Sequence, residues 1–394
     1  MPRTPRNEYD YAARPRRKVD PALIVTLIIG CIAGGFVVRY AAKTIPNRAV
    51  GGVAATIAGD AAVVEMPAHT LEAVGDVRGV GFSRDGSGVF VGDRDGLTLR
   101  ETKSGKIIRT YDTDGNGVRA LAVSPEGQAV AAALSYSGEV RLYSADDAKS
   151  LLTFKSATDQ EQQAVTFSPD GGGIASGGFD KTVRVWSAER SADDAGGKPG
   201  AVFDTTKKTG SDGKLLAVSV KVGDSVAAVA FSPDGKAVVV ATGPKATLYD
   251  VKTTKPGKTF FADKEAVTAV AFTPDGKTVA VGASGGSVLL YDVATGRKII
   301  TIAGANDTGK DANAFGFRPS SGNGVSAVHF TPDGKTLYIA QKSGILQASN
   351  PATGKAVKLY AEEDTASALS LALSPERKQA VVGYSDGTVR VWDL

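Results

Sequence analysis

"VTAVAFTPDGKTVAVGASGGSVLLYDV", residues 267–293, holds three apolar runs, each short and each bounded by turn residues. Between the first two runs stands Thr273-Pro274-Asp275-Gly276. This is the chemistry of a type I β-turn: a hydroxyl first, proline where a φ of about −65° is wanted, an acid next and glycine last. Between the second and third runs, Ser284-Gly285-Gly286-Ser287 is a tight polar loop suited to a hairpin. The stretch predicts three consecutive antiparallel strands.

The same unit recurs along the chain. Its corners are SRDG (83–86), SPEG (124–127), SPDG (168–171), SPDG (232–235), TPDG (273–276), TPDG (331–334) and SPER (374–377). They are spaced by 41, 44, 64, 41, 58 and 43 residues, one period broken by two insertions. Runs such as VRALAV, VAAVAF, VTAVAF and VSAVHF lead into the corners and read as strands buried on both faces. Three residues before the last large residue of each run the side chain is small: Gly79, Ala120, Ala164, Ala228, Ala269, Ala327 and Ser370. Small residues there predict a crowded axis on which the strands converge. The third runs include VRLYSA, VRVWSA, VLLYDV and VRVWDL, and polar loops carrying Asp180, Gly286 or Asp386 precede them.

In period, corner and VRVWD-type endings, residues 64–394 resemble a WD40-repeat β-propeller. The resemblance implies an all-β, seven-bladed propeller with four strands per blade, a rigid and non-catalytic scaffold for binding proteins. Two family marks are absent: no Gly-His pair precedes the opening strands, and Trp-Asp occurs once, at Trp392-Asp393, with Trp186-Ser187 the nearest relative. The His-centred hydrogen-bond network that ties blades in the family is therefore not expected. The seventh repeat supplies three strands before Leu394, so its fourth is expected from Val63–Val74, closing a propeller that spans 63–394. The family also implies a partner-contacting face at the entry to each opening strand, here Arg78, Arg119, Gln163, Ala227, Thr268, Ser326 and Leu369. Arg78 and Arg119, on adjacent blades, make a positive patch unless neighbouring Asp side chains satisfy them.

The first residues differ in kind. Residues 1–20 carry Arg3, Arg6, Arg14, Arg16, Arg17 and Lys18 with no apolar periodicity and read as a disordered basic tail. Pro21–Val38 is a run of eighteen uncharged residues, near the lower limit for crossing a bilayer, and 21–40 reads as one N-terminal transmembrane helix. Six bases before the run and three after it place the tail in the cytoplasm and the body outside. A second reading makes Ile28–Cys31 a lipobox with Cys31 the lipidated residue of a lipoprotein, and a third makes the segment a cleaved secretory signal. Gly30 and Gly34 form a GxxxG through which two helices would dimerise. Residues 41–62, rich in Ala and Gly, read as a flexible linker.

Charge and inventory exclude several functions. The net charge of +4 is concentrated in residues 1–50, which hold nine bases and three acids, leaving 37 bases against 39 acids in the remainder. That balance argues against nucleic acid as a partner. Cys31 is the lone cysteine, so the body holds neither a disulfide nor a thiolate nucleophile. The two histidines, His69 and His329, read as sheet residues, and no spacing fits a zinc site, a nucleophile elbow or a dinucleotide loop. No cofactor is expected, and a propeller enzyme with a central metal or a glycan-binding module are the rival readings. Asp112-Thr113-Asp114-Gly115-Asn116-Gly117 opens like a calcium loop, with Asp112, Asp114 and Asn116 as ligands, but Val123 stands where the bidentate Glu belongs. Of the two insertions, 305–324 is expected between the fifth and sixth blades on the partner-contacting face. Within it Phe315, Phe317 and Arg318 are the residue types that dominate interface hot spots. The other, 189–213, is expected on the opposite face.

Overall fold

The opening stretch forms the strands Val267–Phe272, Thr278–Ala283 and Val288–Asp292, and Lys298–Ile302 completes an antiparallel four-stranded blade in sequence order. At its corner Thr273 Oγ1 donates to Asp275 Oδ1 at 2.6 Å. Asp275 accepts the Lys277 amide at 3.0 Å, and Thr273 Oγ1 accepts the Thr278 amide at 3.0 Å. Gly276 sits at φ +69°, a conformation strained for any residue with a Cβ. The same ring of bonds recurs at Ser83/Asp85, Ser168/Asp170, Ser232/Asp234 and Thr331/Asp333. The hydroxyl donor, above all, holds these five carboxyls below the usual aspartate range.

The chain is described by a computed structural model over residues 53–57, 60–156, 158–187, 201–204, 218–305, 323–362, 366–376 and 378–394. Seven sheets repeat the blade, giving an all-β, seven-bladed propeller. The tail 1–20 and the anchor 21–40, with Gly30, Cys31 and Gly34, lie outside the described residues. Among the described residues no helix is long and apolar enough to cross a membrane.

Three sheets depart from the simple pattern. The seventh blade takes its outer strand from His69–Glu72, antiparallel to Thr388–Asp393 with His69 opposite Val391 and Glu72 opposite Thr388. The expected single strand over 63–74 is instead divided: Asp60–Glu65 lies parallel to Ala356–Tyr360 on the sixth blade. Pro67, which has no N–H to donate, marks the change of partner, and pairing resumes where the Ala68 amide donates to the Val391 carbonyl at 2.7 Å. The tract 41–62 also differs from a plain linker, since Val53–Ile57 pairs antiparallel with Asp60–Glu65. On the second blade, Ala201–Asp204 from the 189–213 insertion adds a fifth strand parallel to Ser150–Lys155. The third blade then resumes at Val218–Lys221.

The core lies between blades. Among the described residues seven apolar clusters each join neighbouring blades, the last of them joining Leu71, Val389 and Val391 of the seventh to Val80, Phe82 and Val89 of the first. The second strand of each blade is the most deeply buried, as in Val130–Leu134, where every residue is 0% exposed. The inner strands, expected to be buried on both faces, are mostly half-buried, because they border a central channel. They still pack closely sideways: a Cβ on Gly79 would stand 2.5 Å from the Leu121 Cβ of the next blade.

Polar ties replace the missing His network. Asp180 and Arg184 form a buried ion pair at 2.5 Å, with side chains 3% and 6% exposed, and Asp180 also accepts the Thr182 amide. Trp186 Nε1 donates to Ser176 Oγ at 3.0 Å beside it. On the seventh blade Arg390 lies 2.8 Å from Glu362 and 3.6 Å from Asp386, and stacks on the Tyr384 ring at 4.1 Å.

Candidate functional site: the channel mouth

The entry residues of the seven inner strands converge. Arg78, Arg119, Gln163, Ala227, Thr268, Ser326 and Leu369 all line one cavity of about 410 Å³ at the mouth of the channel, with Lys342 from the sixth blade. Sequence equivalence thus becomes spatial adjacency, because each blade presents the same position to the axis.

These side chains are not equally available. Arg78 Nη2 lies 2.5 Å from Asp76 Oδ2 in a partly exposed pair. Thr268 donates its hydroxyl to the Val325 carbonyl at 2.6 Å, which commits it to the backbone. The Ser326 hydroxyl is buried and has no hydrogen-bond partner among the described residues. Arg119 is half-buried and has no ion pair or hydrogen bond among the described residues. Burial, then the like charge of Arg78, lowers its pKa, with Glu161 and Asp76 opposing. A guanidinium stays charged even so. Among the described residues no aspartate or glutamate lines the cavity, whereas Arg78, Arg119 and Lys342 do.

The rim beside Arg119 holds two aromatics that the sequence reading did not single out. Tyr136 is 85% exposed at φ +63°, and Phe179 is 45% exposed. Both lie in loops between second and third strands, and Glu161 joins them: its carboxylate accepts the Tyr136 amide at 3.0 Å and its carbonyl accepts the Phe179 amide at 3.1 Å. The signal in the sequence is an aromatic inside a polar loop, ALSYSGEV and GGFDKT.

Deeper in the channel stands His329. Its equivalents on the other blades are Gly81, Ala122, Thr166, Ala230, Ala271 and Ala372, all smaller. It lines both the mouth cavity and a second one of about 880 Å³ at the opposite end, so it stands at the junction of the two. The residue is exposed to the channel, yet protein surrounds the ring, and this desolvation lowers its pKa. The expectation of a sheet residue is right about its backbone and misses its side chain, which faces the channel. His69 lies apart, on the outer strand of the seventh blade.

The calcium-like loop is committed to other bonds. Asp114 pairs with Arg141 at 2.5 Å, Asp112 Oδ1 accepts the Asp114 amide at 3.0 Å, and Asn116 Nδ2 donates to the Thr113 carbonyl at 2.9 Å. Among the described residues no group of three His, Cys, Asp or Glu side chains is placed to hold a metal. Phe315, Phe317 and Arg318 lie outside the described residues.

Residues 105–144, 148–187 and 357–393 match the family described as WD domain, G-beta repeat. Residues 258–309 match the Anaphase-promoting complex subunit 4 WD40 domain. The chain carries WD40 repeats. Each of the three G-beta matches begins at the fourth strand of one blade and ends at the third strand of the next, so a WD40 repeat here straddles two blades. Each WD40 match also contains one aromatic pair that bridges those blades: Tyr111 with Tyr143, Phe154 with Trp186, Phe260 with Tyr291 and Tyr360 with Trp392.

Proposed function

We propose that this protein is a non-catalytic scaffold that binds partner proteins at the channel mouth, and that residues 21–40 hold it at a membrane with the propeller on the extracytoplasmic side. The observation that carries the binding reading is the convergence of seven equivalent strand entries on one cavity, with exposed Tyr136 near Arg119 and Phe179 joined to it through Glu161. Aromatic and arginine side chains around a concave, preformed surface are the residues that supply most of the energy of protein interfaces. WD40 propellers generally bind proteins, which agrees with this use. The membrane part rests on the uncharged run Pro21–Val38 and the bases that precede it. Lipidation at Cys31 would serve the same tethering.

The test places a photocrosslinking residue at Gln163, and separately at Lys103, which belongs to the opposite end of the first blade, in the full chain in its own cell. Discrete protein adducts from position 163 and none from 103 are expected. Equal adducts from both, or none from 163, would sink the platform. Protease added outside the sealed membrane should cut the propeller, and deletion of 21–38 should free it from the membrane fraction.

A further inference from the structure

We propose that the channel mouth receives a short acidic peptide segment of the partner, its carboxylate held by Arg78 and Arg119 and a neighbouring apolar side chain packed on Tyr136 and Phe179. This rests on the reading of the mouth as a protein-binding face and adds the chemistry of what enters it.

The argument begins with charge. Among the described residues Arg78 and Arg119 line the cavity from adjacent blades and no carboxylate does, although the protein outside its first 50 residues holds more acids than bases. The positive mouth is therefore local. Arg119 is the centre of it, because it is partly desolvated and no carboxylate or hydroxyl among the described residues contacts it. A charge partly removed from water with no contacting partner is unfavourable; Glu161 and Asp76 offset part of that cost at a distance, and an entering anion relieves the rest. Arg78 is paired with Asp76 in a partly exposed contact, which uses one edge of a guanidinium that has five donors. The buried Ser326 hydroxyl adds a donor with no partner among the described residues.

Size and surroundings choose the class of anion. A nucleic-acid strand needs a continuous basic track with stacking platforms along it, and here the cations surround a single hole of about 410 Å³. That volume admits a short peptide segment and gives no track for a longer strand. Glu161 sets the direction of the segment. It fixes the amides of Tyr136 and Phe179, so an acid of the partner is repelled from the rim and drawn inward to Arg119, while the aromatics accept apolar surface. Acid and apolar residue must therefore be close in the partner's sequence.

The experiment uses the purified full chain on an array of randomised hexapeptides, with fluorescence anisotropy on the best binder. Enrichment of Asp or Glu beside an apolar residue is expected. Arg119→Ala should weaken the best binder at least tenfold, Tyr136→Ala several-fold, and Arg119→Glu should move the array preference to Lys and Arg. Melting temperatures within about 2 °C of wild type show that the variants fold. Arg119→Lys, which keeps the charge without the planar fork, serves as a second variant and should retain part of the binding. Peptides that bind without acidic enrichment, yet are lost in Gln163→Ala or Tyr136→Ala, would overturn the acidic assignment and leave the platform standing. No peptide bound at the mouth would overturn both. Displacement by free glutamate at the peptide's own concentration would assign the site to a free carboxylate and overturn the peptide assignment.

Discussion

Single residues carry the buried polar ties within the blades. Asp180 and Arg184 are the sharpest case, since both are almost fully enclosed and 2.5 Å apart. Removing one member leaves the other as a buried unpaired charge, which costs about 3–5 kcal/mol. Arg184→Ala is expected to lose that much in urea unfolding, whereas Lys378→Ala, which breaks an exposed pair with Glu376, should lose less than about 0.5 kcal/mol. A loss below about 1 kcal/mol for Arg184→Ala would show that water or a shifted backbone satisfies Asp180. His329 gives a second prediction. Its folded pKa is depressed by desolvation, so below about pH 6.5 the unfolded chain binds a proton that the folded one resists. Stability is full above that pH and falls as the pH drops toward the folded value, by an amount that the ring's exposure to the channel keeps small. His329→Gln should remove this slope between pH 6.5 and 5.5 while leaving the melting temperature at pH 7.5 within a few degrees. An unchanged slope would assign the acid sensitivity to other groups. The five corner aspartates are excluded from that window, because their depressed pKa values place their effect below about pH 4.

At the scale of elements, the sequence repeat and the structural blade are out of phase, and the aromatic pairs show why. Phe154 on the fourth strand of the second blade packs 5.1 Å from Trp186 on the third strand of the third blade, so the repeat is the unit that glues blades together. A double-mutant cycle on Phe154→Ala and Trp186→Ala is expected to show each single change costing about 3–5 kcal/mol, with a coupling of about 0.5–1.5 kcal/mol. Additive losses would mean that each ring packs mainly within its own blade. The corners were legible in the sequence because hydroxyl, proline, acid and glycine each have a separate local role, and those roles are visible as the Thr273–Asp275–Lys277 bonds. The small positions such as Gly79 were legible for a similar reason, since a close approach excludes a Cβ. The added strands 60–65 and 201–204 were not: edge pairing uses backbone groups that every residue has, so it leaves no residue signature. The ties at DKTVR (180–184) and DGTVR (386–390) were printed twice in the sequence. Their meaning depended on knowing that the Asp turns inward toward the Arg four residues on. At the mouth, the ring of entry positions followed from blade equivalence, but the selection of Arg119 as the residue without a partner required the Asp76 and Val325 contacts of its neighbours.

For the whole molecule, closure is the controlling event. The seventh blade depends on His69–Glu72, more than 300 residues from its partner strand Thr388–Asp393. The same short strand buries Leu71 in the cluster that joins the last blade to the first. Sequence-distant pairing of this kind is slow to form and exposes strand edges until it does. The adjacent segments separate the two roles, because 60–65 rests on the sixth blade and 69–72 closes the seventh. A chain beginning at residue 66 keeps the ring shut and loses only an outer hairpin, so it should remain monomeric and melt in one sharp transition near the wild-type temperature. A chain beginning at residue 76 loses the closing strand and Leu71, which uncovers the edge of Thr388–Asp393 and the apolar faces of Val389 and Val391. It should aggregate during refolding, and its melting should broaden as the first and last blades separate. Size-exclusion chromatography and calorimetry of the two truncations decide this. If both stay monomeric with equal, sharp transitions, the blades hold one another through the lateral clusters alone, and the strand that joins the two ends of the chain contributes little to cooperativity.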